Sequence, residues 1–216
     1  MAAMDDATSR RAAHEDLQYI RQTLAAAGHI STVPGKGLVA IGLAALGTVF
    51  LEGMLAGPGS RWLAPDPDAI QFTQASSYRV GQLLWLVLLI LSASIGVVTM
   101  REKARRTGQV FLSPVLRKAL WGYGAAMGLG AILSATALIN GRTDMIPEIW
   151  LGCYGAGLVA GGNYSVSPVR WMGLCFLGTA LGAAVTPAAM GPIWLALGFG
   201  WVHIAFGAYI AWRHDG

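Results

Sequence analysis

The sequence predicts an all-α fold: a polytopic transmembrane helix bundle of about six spans, preceded by an amphipathic helix on the cytoplasmic side. Three observations predict it. Of 216 residues, 55% are hydrophobic and only 12% are charged, whereas a soluble domain carries about a quarter charged residues. Apolar runs of bilayer length recur along the chain; ~20 residues at ~1.5 Å each cover a hydrocarbon core of ~30 Å. The basic residues gather at alternate ends of those runs. Mean hydropathy is +0.54.

Two segments follow, a cytoplasmic arm over residues 1–36 and a membrane domain over residues 37–216. In the arm, Ser9 to Gly28 reads as a short amphipathic helix, with Leu17, Ile20, Leu24 and Ala27 on one narrow face. That face can dock on the protein itself, lie on the membrane surface, or meet a partner. His29 to Gly37 is a turn-rich hinge. The N-terminus lacks the basic-then-apolar layout of a signal peptide.

The predicted spans cover residues 38–57, 80–100, 119–140, 145–162, 171–186 and 193–212. A loop rich in Pro, Gly, Asp and Ser, residues 58–79, joins the first two. The basic stretch 101–118 joins the second and third, and GRTD joins the third and fourth. Span four is short and glycine-rich. A tight turn, PAAMGP, leads into span six.

Twelve of the fifteen Lys and Arg residues fall on one side of such an arrangement, and three (Arg61, Arg79, Arg142) on the other. The positive-inside rule then places both termini in the cytoplasm. It also explains the net charge of +4 without a nucleic acid partner. Trp85, Trp150 and Trp194 should mark the outer interface, and Trp121, Trp171 and Trp212 the inner one.

Span six, IWLALGFGWVHIAFGAYIAW, is the most informative. Ala196, Gly200, His203, Gly207 and Ala211 share one helix face, and small residues mark close helix approach in lipid. Span three offers two such lines: Gly124, Gly128 and Ala135, and Gly122, Ala126, Gly130 and Ser134. Cys153 and Cys175 differ in expected depth by roughly 10 Å, too far for a disulfide. They read as small buried apolar residues. Three-plus-three internal symmetry, a transporter signature, is not convincing here.

Two ionisable residues lie within spans, Glu52 and His203. Such residues are functional candidates because charge in hydrocarbon is costly. A His–Glu pair could relay a proton or hold a cation, although a depth gap of roughly 8 Å opposes direct contact. The structural alternative for His203 is a neutral imidazole bonded to a neighbouring span, and for Glu52 a carboxylate reaching the headgroups. Gln82, Asn140 and Glu148 lie at the outer ends of their spans and, with Glu52, could line a cavity open to the outside. Asn163, Tyr164 and Ser165 end span four, either as an unwound helix end that frees carbonyls for a ligand or as a plain cap and turn. No paired metal spacing, P-loop or nucleophile motif is found, so no cofactor is implied, and an enzyme ranks last.

Three stretches resemble a family of small bacterial multi-span proteins without an assigned activity: DLQYIRQTL (Asp16–Leu24) leading to VPGKG, YGAGLVAGGNYSVSPVRWMGLCF (Tyr154–Phe176), and GFGWVHIAFGAYIAWRHDG (Gly198–Gly216). This chain carries Asn163-Tyr164 in place of a more apolar pair, and Ser167 in place of Arg. The resemblance implies a bacterial inner-membrane protein, with a winged-helix regulator as a candidate neighbour; it implies no catalytic residues. A scaffold or accessory subunit is the leading expectation. It would bind the bilayer and a protein partner through residues 9–28 and the basic loop 101–118. A small-solute or proton-coupled transporter using Glu52 and His203 is the alternative, and a membrane sensor coupled to a cytoplasmic regulator is a third.

Overall fold

The computed structural model describes residues 16–19, 34–55, 70–106, 108, 111–165 and 167–214, with backbone alone for 70–79 and 214. Of the expected amphipathic arm over residues 9–28, only 16–19 fall among these; they are helical and exposed. The rest of that arm lies outside the described residues, as do residues 29–33 of the hinge, 56–57 at the end of the first expected span and 58–69 of the loop after it.

The described chain is an all-α bundle without strands. Its helices are α1 (Gly35–Leu55), α2 (Ile70–Arg106), α3 (Pro114–Ile139), α4 (Ile146–Gly162) and α5 (Ser167–Val185). The last rod, α6, joins Gly191–Leu195, a π-helical stretch Ala196–Val202 and His203–His214. Five helical segments are long and apolar enough to cross a membrane: Gly35–Leu55, Val80–Arg106, Pro114–Ile139, Ser167–Val185 and Ala188–Arg213. Their exteriors are apolar; Phe50, Leu86, Ile90, Ile132, Leu181 and Val185 are all exposed. Water-facing surfaces do not carry apolar area on that scale, so the coarse reading is a multi-pass membrane protein. At 17 residues α4 is shorter and reaches roughly 25 Å.

The two ends of α2 differ most from expectation. Residues 70–79, expected as loop, begin α2. The loop's prolines and glycines all precede Ile70, and IQFTQASSYR contains neither, so nothing there stops a helix. At its other end α2 runs on through REKARR. Arg106 pairs with Glu102 one turn back, and basic residues in the last turn suit the helix dipole.

The remaining ends follow local chemistry. Ser113 caps α3, its side chain accepting from the Leu116 amide, with Pro114 at the first helical position. Gly141, at φ 68°, closes α3. Its amide donates to the Leu138 carbonyl at 3.2 Å, and the Arg142 amide donates to that of Ala137 at 2.7 Å. This double bond is the Schellman closure, which requires the left-handed conformation that glycine adopts without strain. Inside the helices, hydroxyls bond back one turn, as Thr48 does to Ala44 and Ser94 to Ile90. Such bonds satisfy polar groups where lipid offers no partner.

Consecutive helices run antiparallel. α6 sits between α1 on one side and the α4–α5 pair on the other; α3 packs on α4, and α2 on α1. Contacts are close because glycines meet backbone. A Cβ on Gly207 would lie 2.8 Å from both the Gly35 carbonyl oxygen and the Val39 nitrogen. One on Gly155 would lie 2.9 Å from the Gly173 carbonyl oxygen. On α3, Gly122 faces Ala160 and Gly130 faces Cys153, whereas Gly124 and Gly128 face open space. Of the two small-residue lines on that helix, the one through Gly122 and Gly130 is used. Both cysteines are free. Cys153 is half-buried, but Cys175 is exposed on the bundle surface, not buried as expected.

Candidate functional site

The outer tryptophans expected as an interfacial belt do something else. Trp85 is 7% exposed and belongs to the core, while Trp150 and Trp194 pack partly buried against it. Each indole N–H donates to a side chain in the last two turns of the preceding helix or just past its end. Trp85 of α2 bonds Glu52 Oε2 of α1 at 3.0 Å. Trp150 of α4 bonds Ser134 Oγ of α3 at 2.9 Å, and Trp194 of α6 bonds Thr186 Oγ1 after α5 at 2.8 Å. The three antiparallel hairpins α1–α2, α3–α4 and α5–α6 are thus latched alike at their connected ends. The other trio stays outside: Trp121 is 78% and Trp212 80% exposed, and Trp171 is exposed too. An indole is an apolar ring with one donor. Buried, it needs an acceptor, and each hairpin supplies one. Trp85→Phe keeps most of the ring and removes the donor. It is expected to lower stability by about 1 kcal/mol, read from reversible unfolding in mixed detergent micelles, with Trp121→Phe unchanged.

From Trp85 an aromatic cluster runs inward. Its ring lies 5.6 Å from Trp150, edge-on, and 5.9 Å from Phe199. Phe199 in turn lies 5.2 Å from Tyr154 and 5.3 Å from Phe176. It stacks on His203 with centroids 6.2 Å apart. Edge and tilted pairs of this kind stabilise beyond their buried area.

His203 closes the cluster. It is 1% exposed, and its Nε2 lies 2.7 Å from the Tyr154 hydroxyl on α4. Nδ1 is buried; no partner meets full hydrogen-bond geometry, but the backbone of Gly198 and Phe199, one turn back, lies within reach of the ring. With its proton on Nδ1 the ring faces those backbone carbonyls and leaves Nε2 to accept from the Tyr154 hydroxyl. The π-helical stretch lies immediately before it. Gly198 faces Leu151 and Phe176, while Gly200 faces Leu46 of α1. The two glycines let α6 be pinched from both sides, with Phe199 between them. π-Helical turns carry one extra residue per turn and recur at functional sites.

The expected face of α6 is therefore divided. Gly200, Gly207 and Ala211 meet α1, while His203 reaches across to α4 and α5. Glu52 and His203 do not meet; each bonds its own partner, and the rings of Trp85 and Phe199 stand between them. Gln82 is half-buried, beside Gly81, whose backbone abuts the Glu52 carboxyl. Asn140 caps α3 and is exposed, its side-chain amide donating to the Thr136 carbonyl at 2.8 Å. Glu148 lies half-buried in the first turn of α4, where a carboxylate suits the dipole. At the far end of α4, the Tyr164 and Ser165 amides donate to the Gly161 and Gly162 carbonyls, both at 3.1 Å. Asn163 and Tyr164 are exposed there.

Sequence reasoning missed Tyr154, the partner of His203. A signal was present: a phenol in mid-span needs an acceptor or donor in a neighbouring helix, and so does a mid-span imidazole.

The chain matches no protein-family model, no curated protein and no solved structure.

Proposed function

We propose that this chain is a six-span scaffold or accessory subunit of a bacterial inner membrane, with both termini in the cytoplasm and with its arm and basic 101–118 segment turned toward a protein partner. One observation carries this reading: four polar side chains in or just beyond the apolar segments serve as ties between helices. Glu52 joins α1 to α2, Ser134 joins α3 to α4, Thr186 joins α5 to α6, and His203 joins α6 to α4. A bundle tied in this way is a rigid platform. The excess of basic residues on one set of connections supports the orientation. The sequence likeness to small bacterial multi-span proteins supports the setting, and α4 with the five longer segments makes six.

The test is purification from native membranes after mild cross-linking, with mass spectrometry of what is bound. A stoichiometric protein partner is expected, retained in Glu52→Gln and His203→Phe and lost when residues 1–30 are deleted. Purification of the chain alone, together with solute or proton flux in liposomes that His203→Phe abolishes, would overturn this reading. That outcome would establish the transporter alternative, which a fully buried His203 beside a π-helical stretch favours.

A further inference from the structure

We propose that a groove on the lipid-facing side of α3 binds one anionic phospholipid. The phosphate would sit at Arg117, and the start of an acyl chain would lie over Gly124 and Ala125. The groove has a volume of about 510 Å³ and is lined by Arg117, Leu120, Trp121, Gly124 and Ala125. It exists because α3 spends its other glycine line on α4. A Cβ at Gly124 or Gly128 would meet nothing within 4 Å, so the helix surface there is bare backbone.

Charge decides the occupant. Arg117 is exposed at one end of the groove, and its guanidinium has no ion pair among the described residues. A guanidinium fork matches two phosphate oxygens. Arg117 lies seven residues, roughly 10 Å, from Gly124 along the helix. A cation at one end and an apolar trough beyond it reproduce the order of a phospholipid, headgroup then chain. Trp121, 78% exposed between them, has the character of an indole at the headgroup level. A second copy of this helix would bring another Arg117 into the same groove or leave the cation unmatched. The lipid lies in the leaflet that holds the N-terminal end of α3, and the inference does not depend on any protein partner.

The experiment is native mass spectrometry of the full chain equilibrated with equal amounts of phosphatidylglycerol and phosphatidylcholine. One retained phosphatidylglycerol is expected in preference to phosphatidylcholine. Arg117→Gln should reduce that preference about fivefold, the factor expected for one basic residue at a lipid surface. Gly124→Leu keeps the cation, fills the trough without meeting a neighbour, and should reduce retention similarly at an unchanged unfolding midpoint. Equal retention of the two lipids, or unchanged retention in both variants, overturns the proposal. So does a dimer that Gly124→Leu splits while lipid retention stays constant.

Discussion

Gly207→Leu is expected to destabilise the bundle by about 3 kcal/mol, at the upper end of what overpacking a tight contact costs. The reason is geometric. A Cβ at that position already falls 2.8 Å from two backbone atoms of α1 and 2.9 Å from the Leu38 Cβ, and backbone cannot rotate away as a flexible side chain can. Helices in lipid are held largely by such close packing, so separating α1 from α6 removes attraction that solvent exclusion does not replace. Gly207→Ala should fall between wild type and Gly207→Leu. Gly178→Leu is the control; its Cβ meets nothing within 4 Å, and a change of no more than about 0.5 kcal/mol is expected. Unfolding midpoints in mixed micelles would order the four proteins. Equal midpoints for Gly207→Leu and Gly178→Leu would refute the α1–α6 contact.

His203→Ala should cost about 3 kcal/mol. It leaves a void inside the aromatic cluster and strips the Tyr154 hydroxyl of its partner, and both effects are expensive in a packed interior. His203→Phe separates the two. It fills the space and discards both ring nitrogens, so the cost should fall to about 1 kcal/mol. Tyr154→Phe should match it, and the double variant His203→Phe/Tyr154→Phe should be no worse than either single one, because the shared bond is lost only once. Strict additivity in that cycle would mean that the 2.7 Å contact contributes nothing.

Much of this architecture was legible in the chain. Apolar runs of bilayer length specify helices because backbone polar groups in lipid must be satisfied within the segment. The stripe of small residues through Gly200, Gly207 and Ala211 marked the surface of α6 that meets α1. What remained hidden was rotational. Trp85 and Trp121 are the same residue type near helix ends, yet one is latched inside and the other faces outward; only the packing partners decide which. The two small-residue lines of α3 were equivalent in sequence, and contact with α4 selected one. The π-helical stretch was out of reach as well. Nothing in ALGFGWV demands an extra residue per turn, and the distortion suits a segment pressed from two sides. For the candidate site, the count of helix rise correctly opposed direct contact between Glu52 and His203. It could not supply Phe199 and Trp85 as the rings that fill the gap.

The seam between α1 and α6 also imposes an order in time. Gly42 and its partners Gly200 and Ile204 are about 160 residues apart in the chain, and at ~5–20 residues per second a ribosome needs roughly ten to thirty seconds to cover that distance. During that interval the first rod has its glycine notch unfilled, whatever has already assembled around α4 and α5. The clasp on α1 therefore closes only once α6 has been made. A chain halted before α6 would display that notch permanently.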